Sequence, residues 1–303
     1  MPDPNTKLLL VVFLPVALAI IMFGMGLSLT LNDFRRVRDE PRAIMVGLIA
    51  QLALLPALGF LFAWAFRLSP PLAIGMVLLC SAPGGPTSNL LSFIGRGDVA
   101  LSVSLTAVAG IITVFSIPWI VNLGVRTFSE AATVQTELPI LLTIAKIGGV
   151  VVIPVIFGMW VRARSRRAPA MTRIVQRLSF CILGCLVIGA VLKERARMPE
   201  FLAAAGIAVL AHNAAALLLG FVCGRLMRLN RAQSVTISLE VGMQNAALAI
   251  GLALQMEDGV VVAIPSVIFG VWSYFSCGAV ALLSRWAARK PEYVSSSADH
   301  SNL

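Results

Sequence analysis

Charge is what this chain has least of. Only 13% of its 303 residues are Asp, Glu, Lys or Arg, with 14 acids against 24 bases. A soluble domain carries about 25% charged residues, so a soluble globular fold is excluded. Histidine is nearly absent too, with only His212 and His300. An intramembrane enzyme would need a nucleophile–base set or a metal-ligand pair such as His at i, i+4, and the chain has neither; it is not read as an enzyme. The five cysteines (Cys80, Cys181, Cys185, Cys223 and Cys277) show no C-x-x-C spacing and lie in or beside apolar runs. They read as small packing residues. The short alternating segments of a β-barrel are also missing.

What remains is apolar sequence: 58% of the residues are hydrophobic, in runs of about 20 or more from end to end, which predicts an all-α polytopic membrane protein. Nine transmembrane helices are expected, at roughly 8–30, 41–66, 70–95 (broken), 98–124, 137–161, 174–192, 200–227, 232–256 (broken) and 259–284. Residues 1–290 form one transmembrane domain, and 291–303 read as a disordered tail. Lys7 before the first run could mark a signal peptide, but Gly24-Met25-Gly26-Leu27 continues the run without a cleavage site.

The net charge of +10 does not point to nucleic acid, because the basic residues sit in short loops between spans. With the N-terminus outside, the inner segments hold 17 Lys and Arg and the outer ones 6, with Lys146 inside the fifth span. That asymmetry predicts a cell-membrane protein with its C-terminus in the cytoplasm.

Two stretches resemble one another, Gly59-Phe60-Leu61-Phe62-Ala63-Trp64-Ala65-Phe66-Arg67-Leu68-Ser69 and Gly220-Phe221-Val222-Cys223-Gly224-Arg225-Leu226-Met227-Arg228-Leu229-Asn230. Each closes a span and leads into a broken one. The offset is five spans, an odd number, so the two copies would have opposite topology, a common plan of secondary transporters.

The breaks are Pro83-Gly84-Gly85-Pro86-Thr87-Ser88-Asn89 and Glu240-Val241-Gly242-Met243-Gln244-Asn245. A carboxylate near the bilayer centre costs roughly 2.5–3.5 kcal/mol, so Glu240 asks for a cation, a proton or a partner. Half-helices ending at the breaks offer carbonyls and a negative dipole end, and those beginning there offer N–H groups and a positive end. Crossed at mid-membrane, they would make a site with a cation-binding and an anion-binding face. A hard cation such as Na⁺ takes oxygen ligands, and Ser88, Asn89, Ser102, Thr106, Gln51, Glu240 and Gln244 supply them, with Ser102 and Thr106 at i, i+4 on one helix face. Blander readings stay open. Ser102 and Thr106 could bond their own helix carbonyls, Gln51 could be interhelical glue, and Glu240 could be protonated or paired with Lys146. Lys146 could snorkel, His212-Asn213 could line a cavity or pack, and Trp272 and Tyr274 read as core or interface aromatics.

With Ile21-Met22-Phe23-Gly24-Met25-Gly26-Leu27, Pro83-Gly84-Gly85 with Ser88-Asn89, Gly97-Asp98-Val99-Ala100-Leu101-Ser102 and Glu240-Val241-Gly242-Met243-Gln244-Asn245, the chain resembles the bile acid:sodium symporter family over nearly its whole length. The resemblance implies two broken helices crossing in a core domain (about 41–124 and 200–284) beside a panel domain (parts of 8–66 and 137–192). It implies two sodium ions, one held by Ser88, Asn89, Ser102, Thr106 and Glu240, the other by Gln51, Glu240, Gln244 and the carbonyls of Val241 and Met243. It also implies a substrate site near Thr87 and Asn245. Nine spans match the animal members, whereas bacterial members commonly have ten. Pro86 replaces a frequent Thr, and Trp272-Ser273-Tyr274-Phe275 lacks the His-Asn pair that follows the tryptophan in some relatives; both departures fall near the substrate space that the resemblance implies. The expected activity is sodium-coupled import of an organic anion, either a bile acid or a small carboxylate such as pantoate or a keto acid, by alternating access. No nucleic acid and no obligate protein partner is expected. The rival readings are an arsenite-permease-like exporter using Cys80, and a receptor that binds without translocating.

Overall fold

A computed structural model describes residues 14–129, 139–165, 167–193, 195–256 and 258–288. The expectations for residues 8–13, for the start of the fifth span and for the 291–303 tail lie outside the described residues. Within them the secondary structure is helical apart from one isolated bridge between Gly84 and Gln244.

The helices in order are α1 (Leu14–Gly26), α2 (Leu31–Asp39), α3 (Pro41–Ala65), α4 (Pro70–Ser81), α5 (Pro86–Ile94), α6 (Val99–Phe128), α7 (Ile140–Arg164), α8 (Ala168–Lys193), α9 (Met198–Leu226), α10 (Arg231–Gly242), α11 (Ala246–Ala253) and α12 (Gly259–Ala287). Five of them, α3, α6, α7, α9 and α12, are long and apolar enough to cross a membrane. Large apolar side chains such as Trp64, Phe93, Trp119, Leu141 and Phe275 face outward, as a hydrocarbon surround favours. The chain is therefore a multi-pass membrane protein.

One helix went unanticipated. The inner segment carrying Arg35, Arg36 and Arg38 forms α2, whose start is set by a capping box in which the Thr30 N–H donates to Asp33 Oδ2 at 2.6 Å. Its Arg36 donates to Asp98 Oδ2 at 2.6 Å, tying α2 to the start of α6. The packing-residue reading of the cysteines holds for Cys80 and Cys277, which are buried, but Cys181 and Cys185 are exposed on α8.

Missing side chains allow the closest approaches. A Cβ on Gly26 would fall 2.2 Å from the Val155 carbonyl, and one on Gly158 would fall 2.5 Å from that of Phe23, so α1 and α7 touch backbone to backbone. α9 lies along α10 in the same way, with Gly220 against the Ile237 carbonyl. Four described non-glycine residues have positive φ, and they fall in pairs: Arg67 (50°) with Arg228 (56°), and Arg96 (54°) with Asp258 (51°). Each pair spans nearly the separation of Gly59 from Gly220; Arg67, Arg96 and Arg228 follow helix ends, and Asp258 is the N-cap of α12.

Candidate functional site

The two breaks meet. The Gly85 N–H donates to the Met243 carbonyl at 3.0 Å, and the Asn245 N–H donates to that of Pro83 at 2.8 Å. These antiparallel bonds satisfy backbone groups that lipid could not. α4 and α10 thus end, and α5 and α11 begin, around one point. Pro86 opens α5, where its missing N–H costs nothing. Asn245 caps α11, its Oδ1 accepting from the Leu248 N–H at 3.1 Å.

Glu240 sits at this point, on the last turn of α10 and 1% exposed. Its Oε2 accepts from the Ser88 hydroxyl at 2.6 Å and the Ser102 hydroxyl at 2.9 Å, and its Oε1 from Thr106 at 2.5 Å. Ser102 and Thr106 therefore turn toward the acid and not onto their own helix carbonyls. The suggested pairing of Glu240 with Lys146 is not formed: Lys146 is exposed on α7 and lines a different cavity. The hydroxyl cradle surrounds Glu240 where α5, α6 and α10 converge, while α7 packs against α1. Asn89, next to Ser88, carries a buried Oδ1 without a hydrogen-bond partner.

Gln51 reaches the same centre from α3, where a π-helical turn spans Ala50–Leu54. Pro56 follows within two residues and cannot donate to the helix, and such turns re-aim side chains. The Gln51 amide donates to the Ala82 carbonyl at 3.3 Å and to Gln244 Oε1 at 2.7 Å. With its amide reversed, its nitrogen meets the Glu240 carbonyl at 3.2 Å and its oxygen the Gly84 N–H at 3.3 Å. Gln244 in turn donates to the Val241 carbonyl at 2.5 Å. Seven side chains and the carbonyls of Val241 and Met243, remote in sequence, thus gather around one crossing.

Beside the crossing lies a cavity of about 500 Å³. Thr87, Asn89, Gln244 and Asn245 line it, and the N-termini of α5 and α11 both open onto it. No charged side chain does among the described residues, so the positive dipole ends and amides are what they offer an anion. The opposite wall comes from Met25 of α1 and Ser28 just after it, and from Ser273 and Tyr274 of α12. Met25 and Ser28 as lining residues were missed by sequence reasoning, which had the Trp272–Phe275 stretch near the substrate space only through the family resemblance; Tyr274 faces the cavity where a core or interface aromatic was expected.

The other polar candidates pack behind the crossing. The Asn213 amide donates to the Gly242 carbonyl at 2.8 Å, and its Oδ1 accepts from Ser276. His212 lies with Nε2 3.1 Å from Cys80 Sγ and edge-on to Phe62. His212 and Cys80 are fully buried and line neither cavity described for this chain.

Known proteins resemble the chain along its length. An uncharacterized sodium-dependent transporter of Bacillus subtilis, YocS, is 29% identical over 296 residues, covering 96% of this chain and 88% of that protein. The rice protein named probable sodium/metabolite cotransporter BASS2, chloroplastic, is 32% identical over 280 residues, covering 89% of this chain but 63% of the rice protein. The rabbit ileal sodium/bile acid cotransporter is 26% identical over 271 residues, 85% of this chain and 75% of its own. The family model described as the sodium bile acid symporter family matches residues 15–198, more than half of the sequence. The chain belongs to the sodium bile acid symporter family.

Proposed function

We propose that this protein is a sodium-coupled symporter that imports an organic anion across the cell membrane by alternating access. The observation that carries the reading is the Glu240 carboxylate, buried at the crossing of two helix breaks and held by three hydroxyls, with no cationic side chain against it among the described residues. Hard cations select such oxygen sets.

One sodium ion would be held by Ser88, Asn89, Ser102, Thr106 and Glu240; the partnerless Asn89 oxygen beside the hydroxyls fits a cation ligand. A second would use Gln51, Glu240, Gln244 and the Val241 and Met243 carbonyls. There the Gln244 amide that now donates to Val241 would turn its oxygen to the ion. Both ions would hold α4, α5, α10 and α11 in one arrangement. The anion would then bind near Thr87 and Asn245, against the N-termini of α5 and α11, in the cavity already described.

Two sodium ions entering with a monovalent anion carry one net charge inward. A potential of 100 mV contributes roughly 2.3 kcal/mol per charge, and a tenfold sodium gradient about 1.4 kcal/mol per ion. Together these support accumulation on the order of 10³–10⁴-fold.

The nine-span inverted repeat belongs to this reading, supported by the paired positive-φ residues 67/228 and 96/258. So do a panel containing α1, α7 and α8, which pack on one another, a core built around the breaks, and an N-terminus outside with the C-terminus in the cytoplasm. The substrate class is a bile acid or a small carboxylate such as pantoate or a keto acid, matching the bile acid and metabolite named for relatives. An exporter using Cys80 has less support, because that thiol is sealed against His212, away from either cavity.

The test is binding of taurocholate, pantoate and pyruvate to purified protein in sodium and in potassium buffer. Tight binding of one of them only in sodium is the expected result. Binding indifferent to the exchange would sink the proposal and turn attention to proton coupling through Glu240.

A further inference from the structure

A second cavity lies along the same helices as the first. It measures about 540 Å³ and is walled by Leu18 of α1, Lys146 and Val150 of α7, Leu252 of α11, and Gln255 and Met256 beyond it. The first cavity takes Ile21 and Met25 from α1 and Ala247 from α11; the second takes Leu18 and Leu248 from the same two helices. The two spaces therefore follow one another along the α1–α11 seam, the first beside the crossing and the second farther along α11. The seam is closely packed at the wall of the second. Leu18 is 1% exposed and occupies the space that Gly251 leaves open: a Cβ there would fall 2.3 Å from Leu18 Cδ1.

The second cavity differs from the first in carrying a formal charge. Lys146 is exposed and has neither a hydrogen bond nor an ion pair among the described residues. An ammonium group six residues into an apolar helix is costly, and such residues mark ion and substrate pathways. Among the described lining residues its surroundings are apolar apart from Gln255. One cation on an aliphatic wall matches a molecule with one anionic group on an apolar body, the chemistry of the anion the symport reading requires.

We propose that this cavity is an anteroom for the transported anion. Lys146 draws the carboxylate or sulfonate in and holds it while the apolar wall takes the body. Displacement of Leu18 from Gly251 then joins the anteroom to the cavity at the helix breaks. The assignment rests on the symport reading, and it adds a residue that sets substrate capture without touching either sodium site. The blander alternative is a lysine that only snorkels to lipid headgroups.

The experiment is uptake of radiolabelled taurocholate and pantoate into proteoliposomes of phosphatidylcholine, driven by a sodium gradient, for the wild type, Lys146→Gln and Lys146→Arg. Loss of one partly screened charge contact raises KM about five- to tenfold in Lys146→Gln. Turnover and the sodium concentration for half-maximal uptake stay as in the wild type, which shows that the variant is folded. Lys146→Arg restores KM, and added choline chloride narrows the gap between wild type and Lys146→Gln, because salt screens the contact. An unchanged KM in Lys146→Gln would overturn the anteroom. So would a change that appears only when the vesicles contain phosphatidylglycerol, since the lysine would then be serving a lipid headgroup. Wild-type uptake indifferent to sodium would overturn the symport reading instead, a result read from the sodium dependence and not from the effect of Lys146 on KM.

Discussion

The Thr106 hydroxyl donates to Glu240 Oε1 at 2.5 Å across 134 positions of chain. One turn earlier on the same helix, Ser102 donates to Oε2. Two hydroxyls spaced i, i+4 thus grip both oxygens of one carboxylate, and Ser88 adds a third donor from the other break. Ser102 and Thr106 had a cheaper local option in their own helix carbonyls, while Ser88 also lies 2.8 Å from the Gly85 carbonyl. All three reaching the acid keeps the carboxylate oriented, with its remaining lone pairs available to an ion.

Glu240→Gln preserves shape and removes the charge. Sodium-dependent binding of the anion should fall by about 100-fold or more, a scale set by losing a charged, desolvated contact worth ~3 kcal/mol. The variant should still elute as a folded species, since the amide oxygen can accept from Ser88 and Ser102 and its NH2 can donate to the Thr106 oxygen. Isothermal titration with sodium, followed by anion titration in sodium buffer, reads both quantities. Near-normal sodium dependence would remove Glu240 from the ion site.

Thr106→Val keeps the volume and loses only the donor. Leaving Oε1 short of a buried hydrogen bond costs about 1–3 kcal/mol, or ~5–150-fold in sodium affinity. Thr113 on the same helix donates to its own Gly110 carbonyl; Thr113→Val should leave the sodium titration unmoved and serves as the control.

Gly84 and Gly85 should respond oppositely to alanine. A Cβ on Gly84 would lie 2.1 Å from Glu240 Oε1, whereas the nearest atom to one on Gly85 is the Gln244 carbonyl at 3.6 Å. No described glycine has positive φ, so the demand at Gly84 is for space beside the carboxylate and not for backbone freedom. Gly84→Ala should abolish sodium-dependent binding and lower stability by about 1–3 kcal/mol, as overpacking does. Gly85→Ala should bind and melt close to the wild type. Thermal unfolding in detergent with and without sodium separates them, and equal behaviour of the two variants would contradict the crossing geometry.

Why the crossing was legible and the cavity was not follows from the same physics. Glu240, the Pro-Gly-Gly run and the Ser102/Thr106 spacing each break an apolar pattern, and a polar group in lipid has few explanations. Met25, Ser28, Ser273 and Tyr274 break no pattern, because helices apolar on every side carry no face signal. Which side meets the cavity is decided by tertiary packing, here by Gly26 and Gly158 bringing α1 onto α7. The turn residues Arg67, Arg96, Arg228 and Asp258 were hidden for another reason. Positive φ is uncommon outside glycine, so nothing in an arginine announces it. The Thr30–Asp33 pair carries capping-box spacing in the sequence, but a segment as charged as Arg35, Arg36 and Arg38 fits an inner loop as well as a helix.

Gln51 is the residue that tests how many ions bind. It lies outside the Ser88–Ser102–Thr106 cradle and bonds instead to Gln244 and the end of α4. If it ligates a second sodium, the wild type should show cooperative sodium dependence of anion binding, with a Hill coefficient near 2, because both ions favour the same crossed arrangement. Gln51→Ala removes ligands from one site only. Its Hill coefficient should fall toward 1, while the three hydroxyls still bind one ion. Glu240→Gln, which strikes both sites, should abolish the sodium response altogether. Sodium titrations monitored by anion binding distinguish these cases directly. A Gln51→Ala titration that stays as steep as the wild type, shifted or not, would mean that Gln51 holds helices together and that any second ion sits elsewhere.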